Sequence, residues 1–162
     1  MPAVIVGYAR SPFTPAKKGA LARTRPDVIA AAVVNRLISD SGIDPSLVED
    51  LIVGCAFPEA EQGYNLARII TFLTDLPETV PGVTVNRFCG SSMQSIHDAA
   101  ARINSGQGCA FIAGGVESMS RIPMTGFNPM PNPVLAEEAM TSMGITAENL
   151  SKIHGIDRDA QE

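Results

Sequence analysis

Aromatic residues make up only 5% of this 162-residue sequence, and tryptophan is absent. Positive charge is also scarce, with 12 Lys and Arg against 17 Asp and Glu and a formal net charge of −5. Proteins that neutralise phosphate backbones carry a basic field, so nucleic acid is not an expected partner. An anionic small molecule stays admissible if backbone amides and a few local cations hold it. The three cysteines, Cys55, Cys89 and Cys109, are odd in number and form no CxxC pair. A disulfide framework or a structural zinc site is therefore not expected, and no metal is assigned, although one thiol can still be reactive. No apolar run approaches the roughly 18 residues needed to span a bilayer. A charged, apolar, small-residue leader is missing at the start, so a cytoplasmic location is the default expectation.

What is present points to a folded chain. The sequence is 45% hydrophobic and 18% charged, with a mean hydropathy of +0.13, too apolar and too weakly charged for disorder. Its length suits one domain, or one domain and the start of another. Apolar and polar runs alternate in a β-α-β-α manner. Ala3–Tyr8 reads as a buried strand closed by the turn Ser11-Pro12-Phe13-Thr14-Pro15. Thr24-Arg25-Pro26-Asp27 reads as a helix start with a hydroxyl cap, a first-turn proline and an acid at the positive end of the dipole. Ile29, Val33 and Leu37 then form the apolar face, and Gly42 is the stop. Further strands are expected at Leu51–Gly54, Val83–Val85 and Cys109–Ala113, with helices at Asn65–Leu73 and Ser91–Ser105. Strands separated by helices pair in parallel through crossovers. The expectation is a layered α/β domain over residues 1–118, with helices on both faces of a mostly parallel sheet. From 119 to 133 methionine, proline and glycine crowd the chain. An amphipathic stretch, Thr141–Glu162, follows, so 119–162 reads as the beginning of a second domain.

The chemistry concentrates in Val83-Thr84-Val85-Asn86-Arg87-Phe88-Cys89-Gly90-Ser91-Ser92-Met93-Gln94-Ser95-Ile96-His97. A strand enters a glycine-containing turn and a helix leaves it, with Met93, Ile96, Ala100 and Ile103 expected on its inner face. Cys89 then stands at the helix N-terminus, where unpaired amides and the dipole favour negative charge and can receive an oxyanion. This is the logic of a nucleophile elbow. The alternative, a small cysteine buried in the core, stays open on topology alone. His97 lies eight residues further on, about 12 Å along the axis, and reads as a packing or surface residue. His154, beside Gly155 in a charged segment, reads as solvated. Gly114-Gly115 reads as close backbone packing more than as a phosphate loop. Cys55 and Cys109, at a strand end and a strand start, read as inert. Asn86, Arg87 and Arg68 are read as structural residues.

The Cys89 segment resembles the nucleophile motif of the thiolases, the acyl-CoA C-acyltransferases. The resemblance extends to Ile5–Phe13, to Asn65-Leu66-Ala67-Arg68 followed by Pro81–Arg87, to Ala113–Ser120, and to Met143–Leu150. It implies the N-terminal half of a thiolase: a thiolase-type N-terminal domain followed by the start of a loop domain. It also implies that Cys89 accepts an acyl group from a coenzyme A thioester, with CoA thioesters as substrates and no separate cofactor. Gly114 and Gly115 would lie near the active site. Met143 would cover the acyl pocket, although as a methionine on a helical face it is equally ordinary core. Asn86, Arg87 and Arg68 would face a second subunit. Cys89-Gly90-Ser91-Ser92-Met93 and Ser142-Met143-Gly144 are closer to degradative 3-ketoacyl-CoA thiolases of fatty acid β-oxidation than to biosynthetic acetoacetyl-CoA enzymes, which remain the alternative.

Claisen chemistry also needs a base and an oxyanion hole. The family supplies these from a Gly-His-Pro histidine, a Cys-x-Gly cysteine and an Asn-Glu motif, none of which occurs here. In the family the last strand of the N-terminal domain follows the loop domain, so the sheet is expected to lack a strand. The chain alone is then expected to be inactive. It would be a truncated enzyme, half of a split one completed by a C-terminal chain, or a noncatalytic interaction module. Self-association or a complementing partner is expected.

Overall fold

The computed structural model describes residues 2–135 and 139–162; residues 136–138, inside the segment read as a second domain, lie outside the described residues. The chain forms two compact units, Met1–Phe127 and Asn128–Glu162. No described helix is long and apolar enough to cross a membrane.

The first unit is an α/β layer structure. Its elements are α1 (Pro26–Ser41), β1 (Asp50–Gly54), α2 (Leu66–Phe72), β2 (Gly82–Val85), α3 (Ser91–Asn104) and β3 (Phe111–Gly115). The three strands form one parallel sheet in the order β2-β1-β3. Leu51 pairs with Gly82 on one side and Ile112 on the other. Strand β1 is buried along its whole length, as expected of a central parallel strand covered on both faces. Leu51 and Val53 join Ala31, Val34 and Ile38 of α1, Leu66 and Ile70 of α2, and Ile112 in the core. Helix α3 packs on β1 and β3. At the opposite end of β1 from the elbow, the buried Asp50 carboxylate accepts from Arg102 Nη1 at 2.6 Å.

Three sequence expectations are corrected. Ala3–Tyr8 is not a buried strand: it belongs to no ladder, and Val4, Ile5, Val6 and Tyr8 are 72–89% exposed. The ladder closes among β2, β1 and β3 without it, and the segment pairs with neither outer edge of that sheet. It is tethered by Ala3 N–H donating to Asn104 Oδ1 at 3.0 Å. Second, the N-cap position of α1 is Arg25, not Thr24, and no side chain caps it there; Asp27 sits buried in its first turn. Its buried face is Ala31, Val34 and Ile38, one or two positions along from Ile29, Val33 and Leu37, which are half-buried.

The third correction concerns α3. Its buried residues are Ser91, Ser95 and Ala99, whereas Met93 and Ile96 are 54% and 44% exposed. The reason lies in the sheet below it. A Cβ added to Gly54 would strike the backbone of Ser91 and Ser92, and one added to Gly115 would strike the Ser92 hydroxyl. The helix sits so close to these strand ends that only small side chains fit beneath it. Ser95 Oγ, at the contact, shares its one proton between Ser92 O (2.7 Å) and Gly114 O (2.9 Å).

The second unit contains α4 (Met143–His154) and α5 (Arg158–Gln161). Ser142 Oγ caps α4 by accepting from Ile145 N–H, and Asp157 Oδ1 caps α5 by accepting from Ala160 N–H. Neither helix buries a residue; Ile145, Leu150 and Ile153 are exposed.

The close approach predicts the effect of Gly54→Ala. Overpacking of this kind costs about 1–3 kcal/mol, so the urea midpoint falls while the slope stays unchanged. An unchanged or raised midpoint contradicts the packing described.

Candidate active site

Strand β2 ends at Val85, and residues 86–90 turn the chain into α3. The turn is closed from within. Gly90 N–H donates to Arg87 O and Ser91 N–H to Phe88 O, both at 3.0 Å. The buried Ser91 hydroxyl accepts from Arg87 N–H (2.9 Å) and donates to Phe88 O (2.6 Å). Asn86 Oδ1 accepts from Phe88 N–H at 2.8 Å, while its Nδ2 donates to Ala56 O at 2.9 Å. Phe88 is held at φ 46°, a left-handed conformation that is strained for a bulky residue and concentrates at functional sites. Its ring lies 5.9 Å from that of Phe57.

Cys89 occupies the apex of this turn, one residue before the Gly90 cap, and is exposed. Among the described residues, the Ser92 and Met93 amides in the first turn of α3 have no protein acceptor. An exposed sulfur thus precedes a 14-residue helix whose free N–H groups and dipole attract negative charge.

The other thiols differ. Cys55, at the end of β1, is buried, and its thiol is pushed up to about 11, first by burial and then by the Glu117 carboxylate. Cys109 is exposed ahead of β3, with its N–H donating to Glu49 Oε1 at 2.8 Å. Gly114 and Gly115 end β3 beside the first turns of α3, through the Ser95–Gly114 bond and the Ser92 contact. Met143 opens α4 in the second unit and is exposed. His97 is exposed on α3, and His154 is exposed at the end of α4. Arg68 bonds inward: Nη1 donates to Val80 O (2.5 Å) and Nη2 to Glu78 O (2.9 Å), with its guanidinium over the Phe72 ring.

Sequence reasoning missed one polar cluster. Gln62, fully buried, donates its two Nε2 hydrogens to Phe57 O and Glu117 Oε1, with Nε2 also 3.3 Å from Cys55 Sγ, and accepts at Oε1 from Ser118 N–H. Glu117 Oε2 accepts from Ala56 N–H at 2.8 Å. The cluster ties the exits of β1 and β3 together next to the elbow. The one signal in the sequence was Glu117, a carboxylate two residues after the Gly114-Gly115 strand end.

The site is thus an exposed cysteine on a strand-to-helix elbow at the carboxyl end of a parallel sheet. The chain belongs to the thiolase family: the model of the thiolase N-terminal domain matches residues 3–162. Among its relatives is a 3-ketoacyl-CoA thiolase of Bacillus subtilis, 50% identical over 99% of this chain and 42% of that protein. The 3-ketoacyl-CoA thiolases of Saccharophagus degradans and Hahella chejuensis are each 44% identical over 98% of this chain and 41% of theirs. The chain thus spans about two-fifths of the length of these relatives.

Cys55 gives a pH prediction. Its folded-state value, about 11, lies above the ordinary thiol value of 9.0. A raised value means the folded form keeps its proton longer, so this contribution to stability is intact below pH 9 and is lost between about 9 and 11. The urea midpoint of Cys55→Ala should therefore fall less steeply across that window than that of the unsubstituted chain. Parallel profiles would contradict the burial-driven shift.

Proposed function

We propose that this chain is the nucleophile-bearing part of an acyl-CoA:acetyl-CoA C-acyltransferase, with Cys89 as the acyl acceptor. The observation that supports it most is the exposed Cys89 at the apex of a hydrogen-bonded turn ahead of α3. In the thiolytic direction the Cys89 thiolate attacks the 3-keto carbon of a 3-ketoacyl-CoA. The bond between the alpha and keto carbons breaks, and its electron pair leaves with acetyl-CoA, which takes up a proton. The acyl thioester left on sulfur passes to the thiol of a second coenzyme A, which returns the thiolate. Condensation is the reverse.

The relatives' printed names favour 3-ketoacyl-CoA substrates, and with them a degradative role, over a biosynthetic acetoacetyl-CoA one. The base and oxyanion groups of the family motifs lie outside this sequence, so the reading assigns it an acylatable thiol and no complete turnover by itself. It includes 119–162 as the start of the loop domain and Met143 as a wall of the acyl pocket. It also includes association with the rest of the enzyme or with a second copy, supported by the exposed Val4, Ile5, Val6 and Tyr8.

Incubating the chain with acetyl-CoA and mapping peptides by mass tests the assignment. An acetyl group on Cys89, little on Cys109 and none on Cys55 is expected, and Cys89→Ser abolishes the thioester. Equal labelling of Cys89 and Cys109, or none at Cys89, overturns it.

A further inference from the structure

We propose that Asn86 is a positioning residue for Cys89, acting through the backbone of Phe88; this rests on the reading of Cys89 as the acyl acceptor. The side chain makes two bonds in different directions. Its Oδ1 accepts from Phe88 N–H (2.8 Å), closing a local turn two residues ahead. Its Nδ2 donates to Ala56 O (2.9 Å), on the segment leaving β1. One amide therefore bridges the elbow to the neighbouring strand exit. That exit is itself immobilised, because Ala56 N–H donates to Glu117 Oε2 and Phe57 O accepts from Gln62 Nε2.

The turn needs such a clip. Phe88 at φ 46° relaxes to an extended or right-handed backbone unless its surroundings over-determine it. Its peptide joins directly to Cys89, so relaxation at Phe88 swings Cys89 away from the start of α3. The sulfur is already exposed. Loosening the turn thus gains it no access and costs only its alignment with the helix end. Ser91 closes the same turn from the helix side through Arg87 N–H and Phe88 O. Asn86 hydrogen-bonds it to the sheet exit, where the Phe88 ring also meets Phe57.

The chain carries its own controls for the experiment: buried Cys55 reports on the fold, and exposed Cys109 is a reference thiol. Iodoacetamide labelling is followed at each cysteine by peptide mass. The unsubstituted chain should label Cys89 much faster than Cys109 and leave Cys55 unlabelled. Asn86→Ala, which removes both bonds, should lower the Cys89-to-Cys109 rate ratio about tenfold, the size expected from two ordinary hydrogen bonds. Asn86→Ser keeps an acceptor for Phe88 N–H but cannot reach Ala56, and should recover an intermediate ratio. An unchanged ratio in Asn86→Ala, or no recovery in Asn86→Ser, overturns the proposal. If Asn86→Ala also opens Cys55, Asn86→Ser decides: an intermediate ratio supports the clip and an unchanged one refutes it. Equal rates at Cys89 and Cys109 in the unsubstituted chain would bring down the acyl-acceptor reading itself, whereas fast Cys89 with an indifferent Asn86 would remove only this inference.

Discussion

The first turn of α3 rests on two glycines at the carboxyl ends of β1 and β3, and the rest of the first unit depends on that approach. A helix this near a sheet cannot bury large side chains in between. Ser91, Ser95 and Ala99 fill the contact, and the Ser95 hydroxyl turns what would be an orphaned polar group into a bond with the Gly114 carbonyl. The same proximity leaves the chain only five residues between Val85 and Ser91 to rise from the sheet and enter the helix. That compression places Phe88 in a left-handed conformation and brings Cys89 to the surface at the helix start.

Around the elbow, polar groups replace the apolar packing that holds the rest of the core. Gln62 and Glu117 satisfy three backbone groups from two segments, the exits of β1 and β3, a connected arrangement in which each member depends on the others. Its influence on the two nearest thiols is opposite in kind. Cys55 lies within the cluster, and the adjacent carboxylate helps keep it protonated. Cys89 lies outside it, on a turn anchored to the cluster's outer side through Asn86 and Ala56. One fold thus separates a silent sulfur from an accessible one over a short stretch of sheet edge.

Much of this was legible in the sequence, and the failures share a cause. The strands at 50–54 and 82–85 and the helices after Asn65 and Gly90 followed from apolar runs, Pro and Gly punctuation, and parallel-pairing logic. The turn carrying Cys89 followed from its strand-to-helix setting. The buried face of α3 did not, because apolar periodicity points to Met93 and Ile96, whereas steric closeness selects serine and alanine. The segment 3–8 has the composition of a strand, but a strand exists only with a neighbour, and periodicity carries no information on neighbours. Gln62 was invisible for a related reason: its burial depends on Ser118 and Glu117, more than fifty residues away.

The stretch that leads out of the first unit is fastened quite differently from the sheet. Glu61 is gripped by Arg121 and Arg25, and Glu59 receives the Phe127 amide. The Arg121 hydrogen bond holds the Glu61 carboxyl below its usual range. These are ionic fastenings near water, which salt weakens and acid neutralises, whereas the leucines and valines beneath the helices respond to neither. The exit strap and the central slab therefore answer to different solvents: Glu61 gives up its arginines only in acid stronger than an ordinary glutamate needs, and even then the buried Ile122 keeps an apolar foot in the body.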